Sequence, residues 1–225
     1  MRNLLIKAFV GFAFLMLILA LTLFLSAGSL SYWQAQVYLA VFALCTILIT
    51  LYLVRYDQEL LAGRVKAGPT AETQPTQRII QGLANLLFIA LFIVPGLDYR
   101  FGWSNIPPVL SLIANGFVAL GFYVVFLVFR ENTYTRGTIE VSTEQHVVTS
   151  GPYAVVRHPM YAGASILLIF TPIALGSWVA LPLAVLLILV VVARLLDEEQ
   201  FLRANLNGYP AYCQQVQHRL VPFVW

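Results

Sequence analysis

Residues 161–193 read YAGASILLIFTPIALGSWVALPLAVLLILVVVA, a stretch of 33 residues without a formal charge. As a single helix it would be about 50 Å long, whereas the hydrocarbon core of a bilayer is about 30 Å thick. We therefore predict a helical hairpin with its tip at Gly176-Ser177-Trp178, in which Pro172 and Pro182 bend the two arms without ending them. Such a hairpin returns the chain to the side of the membrane on which it began.

The composition of the whole chain is that of an integral membrane protein. Of its 225 residues, 60% are hydrophobic and 10% are charged, whereas an ordinary soluble domain has roughly 25% charged residues. The net charge of +3 is small, and the basic residues lie in short clusters beside apolar segments, which argues against nucleic-acid binding. Cys45 and Cys213 have no spacing typical of a disulfide framework or a zinc site, so no metal is expected.

The sequence before the hairpin predicts four further spans. Residues 8–54 carry no formal charge and are long enough for two spans joined by a turn at residues 26–29. A polar loop at 55–77, a third span at 79–94, a connection containing Asp98 and Arg100, and a fourth span at 109–129 follow. The apolar N-terminus also has features of a signal peptide, but its length and the later spans favour an uncleaved first helix.

The predicted fold class is an all-α integral membrane protein with about six membrane-embedded helices and a cytoplasmic pocket. Residues 1–130 form an N-terminal four-helix region. Residues 131–225 form a C-terminal region with a polar loop, the hairpin and an amphipathic tail, which we expect to be a helix on the membrane surface from residue 194 onward. The β-branched residues between Thr138 and Val148 indicate a short extended segment in that loop.

The distribution of basic residues predicts the orientation in the membrane. With six crossings, all of the 13 lysines and arginines except Arg100 fall on one side. Because cytoplasmic loops carry an excess of Lys and Arg, both termini are expected in the cytoplasm. The membrane is the plasma (inner) membrane if the source is bacterial and the endoplasmic reticulum if it is eukaryotic.

Two polar groups flank the hairpin and are the candidates for function. The first is QHVVTSGPYAVVRHPMYAG at residues 145–163, and the second is RLLDEE at residues 194–199. Polar residues at a bilayer are costly, so such groups indicate a functional site. Since a hairpin brings its end back to its beginning, the two groups are expected to meet.

Simple structural roles also exist for several of these residues. Pro159 suits the first turn of a helix, Arg157 and His158 suit a membrane boundary, and Arg194 suits an interface, where its charge reaches water. Arg194 and Glu198 are also spaced for a helix ion pair. In the functional interpretation, a helix N-terminus beside these side chains holds an anionic or aromatic group, and Arg194 binds a substrate carboxylate or phosphate.

These residues resemble a known family of membrane enzymes. The stretch GPYAVVRHPMYAG, about 30 apolar residues and then DEE resemble the isoprenylcysteine carboxyl methyltransferases and the related membrane phospholipid methyltransferases. The shared pattern is Arg-His-Pro, a Tyr two residues after the Pro, a Gly two residues after the Tyr, a hydrophobic hairpin and a pair of Glu. Residues 208–222 keep the family's order, so the resemblance covers about residues 140–225.

The resemblance implies that S-adenosyl-L-methionine binds in a cytoplasmic pocket and that Arg194 lies near the methyl-accepting carboxylate. The residues implied to contact the cofactor are Gln145, His146, Val147, Val148, Tyr153, His158, Pro159, Met160, Tyr161 and Glu198. A carboxylate and aromatic rings suit a sulfonium cation. A carboxylate acceptor is ionised at neutral pH and needs no general base.

The expected function is methylation of a prenylcysteine-like or other lipidic acceptor, which enters sideways between helices. One alternative within the same superfamily is amine methylation of a phospholipid headgroup, in which Arg194 would bind phosphate. A second alternative is a sterol-type reductase, which would need NADPH, and a third is a non-enzymatic membrane protein. The expected partners are lipids or lipidated molecules and the surrounding membrane lipids.

Overall fold

The structure of the chain is a computed structural model that describes residues 2–66, 75–135 and 145–225. All regular structure within these ranges is helical, as the sequence predicted. Eight α-helices follow one another: α1 (Arg2–Ala27), α2 (Trp33–Tyr56), α3 (Gln58–Lys66), α4 (Pro75–Phe101), α5 (Pro108–Glu131), α6 (Pro159–Ala174), α7 (Leu181–Asn205) and α8 (Tyr209–Gln215). A short 3-10 turn at Gly151–Ala154 precedes α6.

Helices α1, α2, α4 and α5 contain the segments that are long and apolar enough to cross a membrane, and they are four in number within the described ranges. Helix α6 is also apolar but has only 16 residues. Helix α7 has 25 residues but carries charged residues in its second half. The structure therefore supports a multi-pass membrane protein, while six crossings and a cytoplasmic pocket stay predictions.

The predicted hairpin is present as helices α6 and α7. Its turn contains the expected tip, where Gly176 has a φ of 80°, a backbone conformation that favours glycine. Pro172 lies inside α6, as expected. Pro182, in contrast, lies in the first turn of α7, where its missing N–H costs no helical hydrogen bond and it does not bend the arm.

The connection predicted around Asp98 is instead the last part of a helix. Helix α4 continues through Pro95 to Phe101, and its Asp98 is buried. The Asp98 carboxylate accepts hydrogen bonds from the backbone N–H of Ser104 at 2.7 Å, the Ser104 hydroxyl at 2.6 Å and the Ser177 hydroxyl. These bonds fasten the hairpin tip to α4 at the end of the bundle opposite the cavity described below.

The polar segments also differ from the predictions in part. Residues 58–66 of the predicted loop form α3, and α4 begins at Pro75 rather than at residue 79. Residues 67–74, and residues 138–144 of the predicted extended segment, lie outside the described residues, while 145–148 form no regular element. The tail is not one surface helix, because α7 continues to Asn205 and the chain then turns back through α8.

Helices α5 and α6 cross closely at two glycines. A Cβ atom added to Gly121 would lie 2.9 Å from the carbonyl oxygen of Gly163, and one added to Gly163 would lie 3.0 Å from that of Gly121. Small residues allow membrane helices to approach until their backbones touch. This crossing holds the start of the hairpin against α5, the helix whose end borders the cavity.

We expect Gly121→Ala to lower the stability of the protein by about 1–3 kcal/mol, because the added methyl group would force the two backbones apart. Thermal unfolding in detergent micelles measures the change. Gly116→Ala is the matched control on the same helix, since no atom lies within 4 Å of its added Cβ. An equal loss in both variants would contradict a role for the close crossing.

Candidate functional site

A cavity of about 530 Å³ lies at the end of the bundle where α5 ends, α6 begins and the charged half of α7 lies. Its volume is in the range of about 300–1,000 Å³ that small-molecule sites occupy. Every predicted site residue lines this cavity: Gln145, His146, Val147, Val148, Tyr153, His158, Pro159, Met160, Tyr161, Arg194 and Glu198. The structure thus brings the two polar groups that flank the hairpin into one cavity.

The Arg-His-Pro turn is held by the C-terminal tail. The backbone N–H groups of Arg157 and His158 donate to the carbonyl oxygens of His218 and Arg219, each at 2.9 Å. Pro159 is the first residue of α6, where its ring needs no hydrogen-bond partner. The tail therefore replaces the helical partners that this part of the backbone lacks.

His158 is a buried, neutral side chain. Burial lowers the pKa of its imidazole to about 4, against the attraction of Glu199, and the positive charges of Arg157 and Arg219 lower it as well. Its Nε2 atom is 3.4 Å from the hydroxyl of Tyr209. A pKa in this range favours the neutral form of His158 near neutral pH, so Arg157 is the residue of this pair that carries the charge.

Tyr161 joins the two ends of the hairpin. Its hydroxyl donates a hydrogen bond to the Glu198 carboxylate and accepts one from Nε of Arg194 at 3.2 Å. Arg194 and Glu198 are thus arranged around one hydroxyl from the opposite arm of the hairpin. This arrangement places a cation and an anion side by side in the cavity wall.

Gln77 holds the other side of the Arg194 guanidinium. Its Oε1 atom accepts a hydrogen bond from Nη1 of Arg194 at 2.9 Å, and its Nε2 atom donates to the carboxylate of Asp197. Gln77 is fully buried. Arg194 is therefore held by α4 as well as by α6, and it lies within α7 rather than at the end of that helix.

Glu199 has a different role from its neighbour Glu198. Its carboxylate is buried and lies 3.1 Å from Arg157, 2.7 Å from Arg203 and 2.7 Å from Arg219. Arg157 is also buried and donates to the carbonyl oxygens of Val216 and Gln217. Glu199 thus connects α7 to the Arg-His-Pro turn and to the tail, and it does not line the cavity.

The cavity has further lining residues that were not among the predicted site residues. The end of α5 supplies Asn132, whose amide donates to the Tyr153 hydroxyl at 2.9 Å, and α8 supplies Tyr212, whose hydroxyl donates to the Tyr153 carbonyl oxygen at 2.7 Å. The remaining additions come from α3, α4, α6, α7, α8 and the residues between helices: Arg64, Gln81, Ala84, Asn85, Tyr134, Thr135, Arg157, Ala164, Val191, Leu202, Leu206 and Tyr209.

A sequence signal exists for the contribution of α4. Gln77, Gln81 and Asn85 are spaced four residues apart and therefore lie along one face of this otherwise apolar helix. Amide side chains along one face of a membrane helix are expected to point toward protein or a cavity rather than lipid. No comparable signal exists for Arg64, which belongs to a polar segment.

Comparison with known proteins shows that part of the chain is similar to a described family. Residues 110–207 match the family model of the phospholipid methyltransferases. This confirms the broader of the two predicted resemblances, whereas the narrower isoprenylcysteine carboxyl methyltransferase assignment is not confirmed. The matched segment contains α5 from residue 110 onward, α6 and α7, and it leaves out α1 to α4 and α8.

One curated relative has another activity in its name. A Delta(14)-sterol reductase of Mus musculus is 31% identical over 91 residues, which are 39% of this chain and 22% of that protein. The chain thus matches about a fifth of the length of this relative. The similarity fits the alternative of a sterol-type reductase that the sequence left open.

Proposed function

We propose that the chain is an S-adenosyl-L-methionine-dependent membrane methyltransferase that acts on a lipidic acceptor, with the carboxylate of a prenylcysteine-like compound as the favoured group. The observation that carries this proposal is the arrangement of Arg194 and Glu198 around the Tyr161 hydroxyl in one cavity. The match of residues 110–207 to the phospholipid methyltransferases supports the same reaction class.

The residues of the cavity fit the proposed cofactor. Apolar side chains, Val147, Val148, Met160 and Leu206, offer a surface for a flat adenine ring. The Glu198 carboxylate and the ring of Tyr153 suit a positively charged sulfur. When bound, the cofactor would supply an electrophilic methyl group, and the protein would supply binding and orientation.

Arg194 is the residue expected to hold the acceptor. A guanidinium binds a carboxylate through a planar pair of N–H groups, and the bonds to Tyr161 and Gln77 fix the plane of this guanidinium before the acceptor arrives. A carboxylate is ionised at neutral pH, so the chain need not supply a general base. Positioning of the two reactants then accounts for the rate.

Two other functions have observations in their favour. The description of the matched family, phospholipid methyltransferase, favours a phospholipid acceptor. If the methylated group is a headgroup amine, Arg194 would bind phosphate and a base would be required for an ammonium group. The similarity to the mouse Delta(14)-sterol reductase favours a reductase that uses NADPH. Both alternatives would use the same cavity, so the bound cofactor and the methylated product distinguish them.

The deciding experiment measures ligand binding and then transfer. S-adenosylhomocysteine should raise the melting temperature of the purified protein, since a ligand at 100 times its Kd stabilises the folded state by about 2.7 kcal/mol. NADPH should leave it unchanged. A labelled methyl group should then appear on one member of a panel of prenylcysteine and phospholipid acceptors. Stabilisation by NADPH alone would reject the methyltransferase proposal.

We expect Glu198→Gln to weaken S-adenosylhomocysteine and S-adenosyl-L-methionine binding by about tenfold or more, because a charge-assisted interaction is worth about 1.5–3 kcal/mol. The loss should be larger for the sulfonium form, since only that form carries the extra positive charge. Calorimetric titration measures both Kd values. Glu59→Gln, an exposed change on α3 outside the cavity, is the control, and unchanged affinities in Glu198→Gln would remove Glu198 from the cofactor site.

A further inference from the structure

Part of the cavity wall lies outside the segment that matches the methyltransferase family. Arg64 of α3 and Gln81, Ala84 and Asn85 of α4 line the cavity together with Arg194. The family match begins at residue 110, so the function of this wall does not follow from the match. What it binds has to be inferred from its own side chains.

Arg64 is held in the wall by uncharged groups. Its Nη1 atom donates to the carbonyl oxygen of Thr135 at 3.4 Å, and its guanidinium carbon lies 5.1 Å from the ring centroid of Phe129. Among the residues that the structure describes, no carboxylate forms an ion pair with Arg64. Its positive charge is therefore not neutralised by the described part of the chain.

Arg64 differs from the other charged side chains of the cavity. Among the described residues, the charged ones that line it are Arg64, Arg157, Arg194 and Glu198. Arg157 pairs with Glu199, and Arg194 and Glu198 both bond to the Tyr161 hydroxyl, whereas Arg64 contacts uncharged groups. Loss of water around the guanidinium is the main cause that lowers the pKa of Arg64, and the positive charge of Arg194 lowers this pKa further. The residue as a whole is nevertheless exposed to solvent.

We propose that Arg64 and Arg194 together bind the anionic group of the methyl acceptor, and that the acceptor is therefore an anionic amphiphile. Gln77 is the positioning residue for Arg194 within this two-arginine site. The inference rests on the proposed function only where it identifies the bound molecule as the methyl acceptor. Binding of an anion to the two arginines does not depend on methyl transfer. The shared chemistry is an oxyanion on a lipid chain, which either a lipid carboxylate or a lipid phosphate provides.

The test measures binding of defined amphiphiles to the full chain in neutral detergent micelles. The probes are oleate, oleyl alcohol as its uncharged counterpart, and dioleoyl phosphatidic acid. Tryptophan fluorescence follows binding to the wild type and to Arg64→Gln, Arg64→Lys and Arg194→Gln. Arg55→Gln is the matched control, because Arg55 lies in the last turn of α2 at the same end of the bundle and does not line the cavity.

Oleate is expected to bind the wild type at least tenfold more tightly than oleyl alcohol, and Arg64→Gln should weaken oleate binding by about tenfold. Arg64→Lys should recover part of this loss, while S-adenosylhomocysteine affinity should stay within about twofold in all Arg64 variants. Preference for phosphatidic acid over oleate, with the same dependence on Arg64, would assign the anion to a lipid phosphate.

Unchanged oleate binding in Arg64→Gln would overturn the inference, as would an equal loss in Arg55→Gln. Failure of the proposed function has a separate signature. In that case S-adenosylhomocysteine would not bind and no methyl group would be transferred, whereas the dependence of oleate binding on Arg64 would persist.

Discussion

Glu199→Gln is expected to destabilise the protein by about 3–5 kcal/mol, which for a chain of marginal stability leaves little folded protein. The Glu199 carboxylate is buried among three arginines, of which Arg157 is buried as well. Without the carboxylate, the positive charge of Arg157 would stay in the interior uncompensated. The tail would lose its ion pair to α7, and the backbone bonds from residues 157 and 158 to the tail would weaken with it.

Thermal unfolding followed by circular dichroism in detergent micelles measures this loss. Glu198→Gln is the matched control, because it changes the neighbouring residue of the same helix and should lower ligand affinity far more than stability. The double variant Arg157→Leu with Glu199→Leu should lose less than the sum of the two single variants, since it removes both buried charges together. Similar melting temperatures for Glu198→Gln and Glu199→Gln would contradict the separate roles of the two glutamates.

Arg194→Ala is expected to abolish measurable methyl transfer while S-adenosylhomocysteine still binds. Truncating one partner of a hydrogen-bonded charge pair costs about 2–5 kcal/mol, which corresponds to a rate loss of roughly 30-fold to several thousand-fold. The guanidinium has prearranged bonds to Tyr161 and Gln77, so its removal takes away the orientation of the acceptor as well as the charge.

Transfer of labelled methyl groups measures the activity of this variant, and calorimetric titration with S-adenosylhomocysteine measures its cofactor site. Arg194→Lys separates charge from geometry, because an ammonium keeps the charge but not the planar pair of donors. Arg55→Ala is the control for loss of a basic residue at the same end of the bundle. Parallel loss of transfer and of S-adenosylhomocysteine binding in Arg194→Ala would show that Arg194 is structural.

The sequence was sufficient to predict that the two polar groups beside the hairpin meet, because this depends only on the length of the charge-free segment. A charge-free segment too long for one crossing has to double back, and this alone brings residues 157–161 to residues 194–199. The composition likewise predicted an all-helical membrane protein. Both predictions depend on segment length and hydrophobicity. These properties can be read from the sequence without knowing which helices pack together.

The remainder depends on packing between distant segments. Gln77 contacts Arg194 across the bundle, and no periodicity in the sequence identifies such a pair. The helical position of Asp98 was missed for a related reason. A charged residue after an apolar segment is typical of a loop, and the sequence does not show that Ser104 and Ser177 lie near enough to bond to it. The path of the tail likewise depends on Glu199, because its carboxylate pairs with Arg157 and Arg219, which lie far from it in the sequence, as well as with Arg203.

The hydroxyl of Tyr161 bonds both to Glu198, the residue proposed for the cofactor, and to Arg194, the residue proposed for the acceptor. A ligand that draws on either charged partner changes the hydrogen bonding offered to the other, so occupancy of one half of the site and affinity at the other half are thermodynamically linked. Linkage is reciprocal, and each ligand would alter the affinity of its counterpart by the same factor. The affinity of the site for each reactant would then depend on the presence of the other through a single oxygen atom on the opposite arm of the hairpin.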